Sequence, residues 1–278
     1  MRVENTKSVL VLLLALCSVM FTNVGLARDI TFGTPPTQTV ANTIKLYQPL
    51  IDYLNKESGA HIKLVPARNF LEFTNNMRNG VYDMIFDGPH FVGWRMEKIG
   101  HRPIARLPGQ LIFVVAVKEG STIKEPKDLI GKKICGLASP NLATLMVMDY
   151  YPNPVRQPLI VPVRSFKESV ACLKKNTADG AILPIKFWKK FTKKGITKGM
   201  TLLLTTKDRP LPHRTFSISN KIDRSTQDRI TRALLNSEGK PGPKGVLDKY
   251  RSKNFIAAEP EMYSDLSRLL QSVWGFSD

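Results

Sequence analysis

The sequence has 278 residues and a formal net charge of +18, because 41 Lys and Arg residues outnumber 23 Asp and Glu residues. It contains no internal repeat and no low-complexity tract, and after the first residues no apolar run is long enough to span a membrane. Such a charge favours anionic ligands, anionic lipid surfaces or acidic protein partners, or it serves solubility alone.

The first 27 residues have the features of a secretory signal peptide. Basic Arg2 and Lys7 precede an apolar run at residues 9–21, and the small residues Gly25 and Ala27 have the spacing that a signal peptidase prefers. An uncleaved membrane anchor is disfavoured, since the run is shorter than the roughly 20 residues of a spanning helix. We therefore expect cleavage after Ala27 and a periplasmic protein of roughly 250 residues, enough for one large domain or two of ordinary size.

From residue 29 onward, predicted strands and helices alternate. The segment DITFGT predicts a strand, apolar residues that recur between Val40 and Leu54 predict a helix, and HIKLVP predicts the next strand. Asn69 is the predicted N-cap of a second helix, which ends at Gly80 before the strand YDMIFD. This alternation is typical of a parallel sheet covered by helices.

The same alternation restarts after QLIFVVAV at residues 110–117. The predicted elements are the strand KKICGL, a helix from Ser139, the strand LIVPV, a helix capped by Ser165 and Glu168, and the strand DGAILP. The strands TLLLTT and TFSIS follow, and the chain closes with helices that include residues 227–235. The Gly- and Pro-rich segment SEGKPGPKG, residues 237–245, is interpreted as a surface loop.

These elements predict an α/β fold of two units with a cleft between them. Two extended crossings, near residues 110–117 and 202–211, join the units. The predicted boundaries are a first lobe of residues 28–112 with 208–278 and a second lobe of residues 113–207, which includes the crossings.

Two cysteines remain after the predicted cleavage. Cys135 lies late in a predicted strand, and Cys172 lies two turns into a predicted helix that should pack on the same sheet. An oxidising compartment permits a disulfide between them. The sequence does not give their separation, so a disulfide and two buried thiols both remain open.

Three loops should face the cleft, each at the carboxyl end of a strand. Residues 32–39 place the hydroxyls of Thr34 and Thr37 beside a helix start, and residues 136–144 form the corresponding loop of the second unit. Two helix N-termini across a cleft favour an anion, because their free N–H groups point at it. In the third loop Asp87 either selects among anions by their protonation or caps the next helix.

Histidines and cations near these loops complete the candidate site. His90 follows Asp87, His213 and Arg214 lie on the returning crossing, and Lys186 follows the strand DGAILP. The histidines lack metal-ligand spacing, so we expect neither a metal nor a cofactor. The sequence contains no GxSxG elbow, P-loop, GxGxxG or zinc-hydrolase motif, and we expect no enzymatic activity.

Four segments, ITFGTPPT, FLEFTNNMRNGVYDMIFDGPHF, DLIGKKICGLASPN and ADGAILP, resemble the periplasmic phosphate, phosphite and phosphonate-binding proteins of ABC importers. The resemblance covers nearly the whole chain after residue 27. It implies a two-lobed type II periplasmic binding fold, in which each lobe is a mostly parallel sheet flanked by helices and the ligand lies between the lobes. The positions that it implies for ligand contact are Thr34, Pro35, Thr37, Asp87, Gly88, His90, Asn141, Leu142, Ala143 and Thr144.

The chain departs from that family after Pro140 and Asn141. Leu142 and Ala143 stand where the family has a run of hydroxyl residues, and only Thr144 keeps a hydroxyl. Each lost hydroxyl donor costs roughly 1 kcal/mol or more toward a charged group. The departure therefore predicts a smaller or more hydrophobic ligand.

These observations predict a periplasmic solute-binding protein, a monomer that captures a small oxyanion such as phosphate or a phosphonate and passes it to an inner-membrane ABC permease. Two alternatives remain: a binding protein that presents its ligand to a sensor, and a basic exported adaptor for an acidic protein. The run KFWKKFTKK, residues 186–194, resembles a nucleic-acid patch, but export and the lack of a nucleic-acid-binding motif predict no such partner.

Overall fold

The computed structural model describes residues 29–276, so the predicted signal peptide lies outside the described residues. The strands in chain order are β1 (Ile30–Gly33), β2 (Ile62–Leu64), β3 (Met84–Asp87), β4 (His101–Arg106), β5 (Gln110–Leu111), β6 (Phe113–Lys118), β7 (Lys133–Leu137), β8 (Leu159–Val163), β9 (Gly180–Pro184), β10 (Met200–Thr205), β11 (Leu211–Pro212), β12 (Thr215–Ser219) and β13 (Ile256–Ala257). The α-helices are α1 (Val40–Ser58), α2 (Phe70–Arg78), α3 (Pro89–Ile99), α4 (Leu142–Met148), α5 (Phe166–Lys174), α6 (Ile185–Thr192), α7 (Arg224–Leu235) and α8 (Pro241–Tyr250). No helix of this range is long and apolar enough to cross a membrane.

Most predicted elements are present, and their caps have the predicted chemistry. The Asn69 side chain accepts a hydrogen bond from Glu72 N at 2.9 Å at the start of α2. Ser165 accepts one from Glu168 N at 3.2 Å at the start of α5. Each bond satisfies one of the N–H groups that a helix start leaves without a partner, which is why these helices begin where they do.

The first sheet has the strand order β13-β4-β12-β3-β1-β2. Strand β1 pairs in parallel with β2 and β3, whereas β12 is antiparallel to both β3 and β4. Strands β1, β3 and β4 therefore end at one edge, the edge at which β12 begins. Thr215 is paired there with Asp87 on one side and Arg106 on the other.

The second sheet has the order β10-β6-β9-β7-β8. Strand β7 is parallel to β8 and β9, and β6 is antiparallel to β9 and β10. The predicted α/β class, with sheets flanked by helices, is confirmed. The prediction that each sheet is mostly parallel was wrong, because β12 in the first sheet and β6 in the second run antiparallel to both of their neighbours. The carboxyl ends of β7 and β9 share one edge, as those of β1 and β3 do in the first sheet.

The crossings are shorter than predicted. Between the sheets the chain forms a two-stranded ribbon, in which Leu111 of β5 pairs with Leu211 of β11 and Gln110 pairs with Pro212. Residues 113–118 and 200–205 instead belong to the second sheet. The apolar side chains of β6 alternate between the two faces of the second sheet, and both faces are covered, which explains this placement. Val114 and Ala116 enter the core beneath α5. On the opposite face the core contains Phe113, Val115 and Val117.

The disulfide alternative is the one that the structure contains. Cys135 on β7 is bonded to Cys172 on α5, with their Cα atoms 6.4 Å apart. The bond ties the helix to the strand that it covers. A second link lies beside it, because Ser169 on α5 donates a hydrogen bond to Cys135 O at 2.6 Å.

Two boundary predictions were wrong. The helix predicted from Ser139 begins only at Leu142, because Asn141 is its N-cap and residues 138–141 form a turn that contains a cis Ser139–Pro140 bond. The segment interpreted as a loop, residues 237–245, instead leads into α8 at Pro241. Proline is well accommodated at the first position of a helix, where its missing N–H has no partner to lose.

Candidate functional site

The candidate site lies where the carboxyl ends of the strands in the two sheets approach each other. On the first sheet, Thr34 directly follows β1, and its hydroxyl donates a hydrogen bond to Phe86 O of β3 at 3.1 Å. Thr34 and Pro35 are buried, whereas Thr37 is exposed. The loop before α1 is therefore tied to the neighbouring strand through Thr34, and the N-cap of α1 is Thr39 rather than Thr37.

On the second sheet, the residues after β7 turn inward. Leu142 and Ala143 lie in the apolar cluster on one face of that sheet. The Thr144 hydroxyl donates to Leu137 O at 2.6 Å, so it closes the turn between β7 and α4. Asn141 accepts a hydrogen bond from Ala143 N at 3.1 Å as the N-cap. The Thr144 hydroxyl, the one that remains after Pro140 and Asn141, is thus engaged within the loop.

His90 brings the two loops together. Its Nε2 lies 3.2 Å from Pro140 O, which joins the start of α3 to the turn before α4. Burial lowers the pKa of His90 to about 3, so the ring is neutral and Nε2–H is the donor to the carbonyl. A Cβ at Gly88 would lie 2.7 Å from the His90 ring, so glycine is required for the ring to fold back over it. Among residues 29–276, His90 Nδ1 is a buried atom without a hydrogen-bond partner.

Asp87 is bound by an arginine of its own lobe. Arg95 on α3 donates two hydrogen bonds to the Asp87 carboxylate, each 2.7 Å long, and both side chains are fully buried. Burial raises the pKa of Asp87, and the charge of Arg95 opposes this rise. Ser217 accepts a further bond from Arg95 Nη2 at 2.9 Å. The carboxylate therefore orders the strand end and does not cap α3, whose N-cap is Gly88.

Positive side chains from both sheets lie close enough to His213 for their charges to lower its pKa. The pKa of His213 is lowered to about 4, first by burial and then by the charges of Lys186, Arg214 and Arg106. Lys186 stands at the start of α6 in the second sheet's half, whereas Arg106 ends β4 and Arg214 precedes β12 in the first. We call Arg106, Lys186 and Arg214 the cationic cluster. Such an arrangement of like charges around a neutral histidine favours an anion between them.

The cationic cluster contains a residue that sequence reasoning missed. Arg106 was not predicted, although the rule that selected the ends of β1 and β3 also selects the end of β4 once its direction is known. Its Nη1 donates to Leu107 O at 3.3 Å. Within the described range its Nε is buried without a partner. The pairing of β12 with β4 places this donor at the edge of the site. The residues around Arg106 in the sequence do not predict that pairing.

Two aromatic residues that were also missed support Arg214. Its guanidinium lies 5.4 Å from the ring centre of Tyr250 and 5.9 Å from that of Phe86, within the range of cation–π contact. Arg214 Nη1 donates to Phe86 O at 3.4 Å. The guanidinium is thus held in place by α8 and β3 together. Nothing in the sequence near Arg214 signals Tyr250, which comes from a helix that was predicted as a loop at its start.

The fold and site together define an α/β binding protein with an anion-favouring interface between two sheets. A family model described as "ABC transporter, phosphonate, periplasmic substrate-binding protein" matches residues 32–263. Because this match covers most of the chain, the protein belongs to that family. The predicted resemblance is thereby confirmed, and the family's role is substrate binding for a transporter, not catalysis.

Individual relatives agree with this assignment. The Phosphate-import protein PhnD of Mycolicibacterium smegmatis is 27% identical over 119 residues, which are 40% of this chain and 37% of the relative. The alignment thus spans little more than a third of that relative. PhnD1 from Prochlorococcus marinus, solved with methylphosphonate, has a TM-score of 0.65 at 16% identity over 89% of this chain and 98% of its own. A Xanthomonas citri protein bound to ATP has a TM-score of 0.73 at 14% identity over 90% and 99%. These two structures share the fold of this chain.

Proposed function

We propose that the protein binds a phosphonate or phosphate-like oxyanion between its two sheets and delivers it to an ABC permease of the inner membrane. The observation that carries the proposal is the cationic cluster, because Lys186 comes from one sheet's half and Arg106 and Arg214 come from the other. An anion that contacts both halves gains interaction energy only when they are close together. This is the physical basis of ligand-driven closure.

The predicted hydroxyl clamp has a reduced part in this proposal. Thr34 and Thr144 both donate their hydroxyls to backbone carbonyls, and Asp87 is neutralised by Arg95. Of the predicted contacts, we propose Lys186, Arg214 and the neutral His213 as the ligand-binding residues, with Arg106 added to them. Recognition by charge predicts binding of several oxyanions of similar size.

We infer that the sheets move as two lobes, with the predicted boundaries at residues 28–112 with 208–278 and at residues 113–207. Every strand of the six-stranded sheet falls in the first set, and every strand of the five-stranded sheet falls in the second. The β5–β11 ribbon is the proposed hinge. The contact between His90 and Pro140 joins the two strand-end loops, so we propose that it forms on closure.

The family assignment supports a periplasmic location and a membrane permease as the partner. The signal peptide cleaved after Ala27 and the monomeric state are proposals that mass spectrometry of the exported protein and sedimentation test directly. Delivery to a sensor in place of a permease would use the same site.

The test is isothermal titration with methylphosphonate, phosphate, phosphite and sulfate, with free arginine as a cationic control. We expect binding of at least one oxyanion and none of arginine. Lys186→Gln should weaken that oxyanion about 10-fold, since a hydrogen bond to a charged group contributes about 1.5 kcal/mol or more. The matched control is Lys189→Gln, an exposed lysine of the same helix, which should leave the affinity unchanged.

Failure of all four oxyanions would contradict the proposal and favour the basic adaptor. The two functions also differ in their response to salt. Binding to an acidic protein surface is screened at physiological ionic strength, whereas an anion enclosed between the sheets keeps most of its affinity.

A further inference from the structure

A second group of positive side chains lies along α6 and the turn after it, C-terminal to Lys186. It consists of Lys189, Lys190, Lys193, Lys194 and Lys198, which we call the basic patch. All five side chains are exposed. They follow Lys186, the member of the cationic cluster at the helix start, along α6 and the turn after it.

The basic patch has no local counter-charge. The sequence from residue 180 to residue 207 contains no Asp or Glu. Within residues 29–276, none of the five ammonium groups has an ion pair or a side-chain hydrogen bond. The surrounding segment adds to the charge, because residues 113–207 contain 17 Lys and Arg against 6 Asp and Glu. The potential of this face is therefore strongly positive.

The patch is presented on a rigid support. The opposite face of α6 is anchored by Phe191, which is 7% exposed and packs with Val170, Leu173 and Met200. Phe187, one turn before Phe191, lies on this same anchored face, and its ring centre is 5.0 Å from that of Phe166. The five lysines remain exposed. A cluster of exposed lysines on an amphipathic element is attracted to anionic headgroups.

The residue type distinguishes a lipid surface from an acidic protein. Protein interfaces concentrate their binding energy in Trp, Tyr and Arg and are depleted in Lys. A lysine ammonium is strongly hydrated and has no fixed fork geometry, so it suits a diffuse field of mobile anions. Four to eight clustered basic residues are the usual requirement for adsorption to anionic lipid.

We propose that the basic patch docks the protein on an anionic phospholipid surface. Docking would hold the second lobe against the membrane and leave the cationic cluster free. The proposal rests on the patch alone and does not depend on which oxyanion the cleft binds.

The test is flotation of the protein with vesicles of phosphatidylcholine, with and without phosphatidylglycerol. We expect binding only to vesicles that contain phosphatidylglycerol, and weaker binding as salt increases. The variant with all five patch lysines changed to Gln should lose about 100-fold or more in apparent partition coefficient, since each lysine at the surface contributes several-fold.

The matched control changes five exposed lysines elsewhere to Gln: Lys45, Lys56, Lys221, Lys240 and Lys253. Both variants have the same net charge, and both should keep the wild-type melting temperature and oxyanion affinity. The control should retain most of its vesicle binding. An equal loss in both variants would show that net charge alone acts and would overturn the proposal. Wild-type protein that does not bind the anionic vesicles would also overturn it and would make an acidic protein the candidate partner.

Discussion

Asp87 is a charged side chain beside the proposed anion site, and its charge is balanced by Arg95. The bidentate pair with Arg95 cancels its charge within the same lobe. Ser217 Oγ and Met77 Sδ accept the other guanidinium bonds. A buried ion pair contributes little net stability compared with an apolar pair, yet removal of one partner is costly. The pair therefore fixes the geometry of the β3 end, from which His90 is positioned.

Asp87→Asn should destabilise the protein by about 3–5 kcal/mol, because it leaves the buried Arg95 charge uncompensated. Urea unfolding measures this loss. The double variant Asp87→Asn with Arg95→Met should recover part of it, since the unpaired charge is then gone. A small loss of stability together with a changed preference between phosphate and sulfate would show instead that Asp87 contacts the ligand.

Three histidines, of which His90 and His101 are buried and His213 is half-buried, predict a pH dependence of stability. Burial lowers the pKa values of His90 to about 3, of His101 to about 2 and of His213 to about 4, from 6.5 in the unfolded chain. Below about pH 6.5 the unfolded chain therefore binds protons that the folded chain does not. The free energy of unfolding should fall as the pH is lowered from 6.5 toward 4, by about 1.4 kcal/mol per pH unit for each histidine.

Urea titrations between pH 7.5 and 4.5 test this dependence. His101→Leu should reduce the slope by the equivalent of one proton, and His61→Gln, at an exposed position, serves as the control. A free energy of unfolding that stays constant down to pH 5 would contradict the prediction.

At the scale of elements, α8 shows why a Gly- and Pro-rich segment folds as a helix. Its first turn packs against α1, and a Cβ at Gly242 would lie 2.5 Å from Tyr53 Cβ and 2.7 Å from Pro49 O. The glycine permits this close approach. Val246 and Leu247 then enter the core of the first sheet. Tertiary contact thus overrides the low helix propensity of the residues that begin α8.

Gly242→Ala should lower the free energy of unfolding by about 1–3 kcal/mol, because the added methyl group has no space against α1. Gly245→Ala on the same helix is the matched variant, since its nearest neighbour atom would be 3.7 Å away. It should be neutral or stabilise by about 0.5–1 kcal/mol, as alanine is the better helix former. Thermal and urea unfolding distinguish the two variants, and equal effects would contradict the packing argument.

At the scale of the whole molecule, the C-terminal segment connects the two sheets. The 3₁₀-helix Leu266–Leu270 packs against α3 of the first sheet and also contacts α4 of the second. Asp149, at the end of α4, reinforces this contact: its carboxylate pairs with Arg268, and with Arg209 at 2.8 Å. The Asp149 carboxylate thus links the second sheet to the C-terminal segment through Arg268 and to the chain between β10 and β11 through Arg209.

Asp149→Asn should destabilise the protein by about 1–2 kcal/mol, a value reduced by the partial exposure of both arginines. It should also speed limited proteolysis within the C-terminal segment. Asp248→Asn removes an exposed i,i+4 pair with Lys244 and should cost about 0.5 kcal/mol or less. Equal costs for the two variants, or an unchanged proteolysis rate, would contradict the linking role of Asp149.

Local sequence patterns were enough to predict the order of most strands and helices, the caps at Asn69 and Ser165, and the candidate cations Lys186 and Arg214. These features follow from local periodicity and from short-range hydrogen bonds, which act within a few residues. Three features depend on tertiary contacts and were not predictable from local patterns: the partner of Asp87, the bond between Cys135 and Cys172, and the helix of residues 241–250.

The physical reason is that β12 returns between β3 and β4. These two pairings bring Asp87, Arg106 and Thr215 to one edge. No local pattern encodes which strands become neighbours. Tertiary contact also engages two hydroxyls of the predicted clamp, because Thr34 donates to Phe86 O of the neighbouring strand and Thr144 donates to Leu137 O.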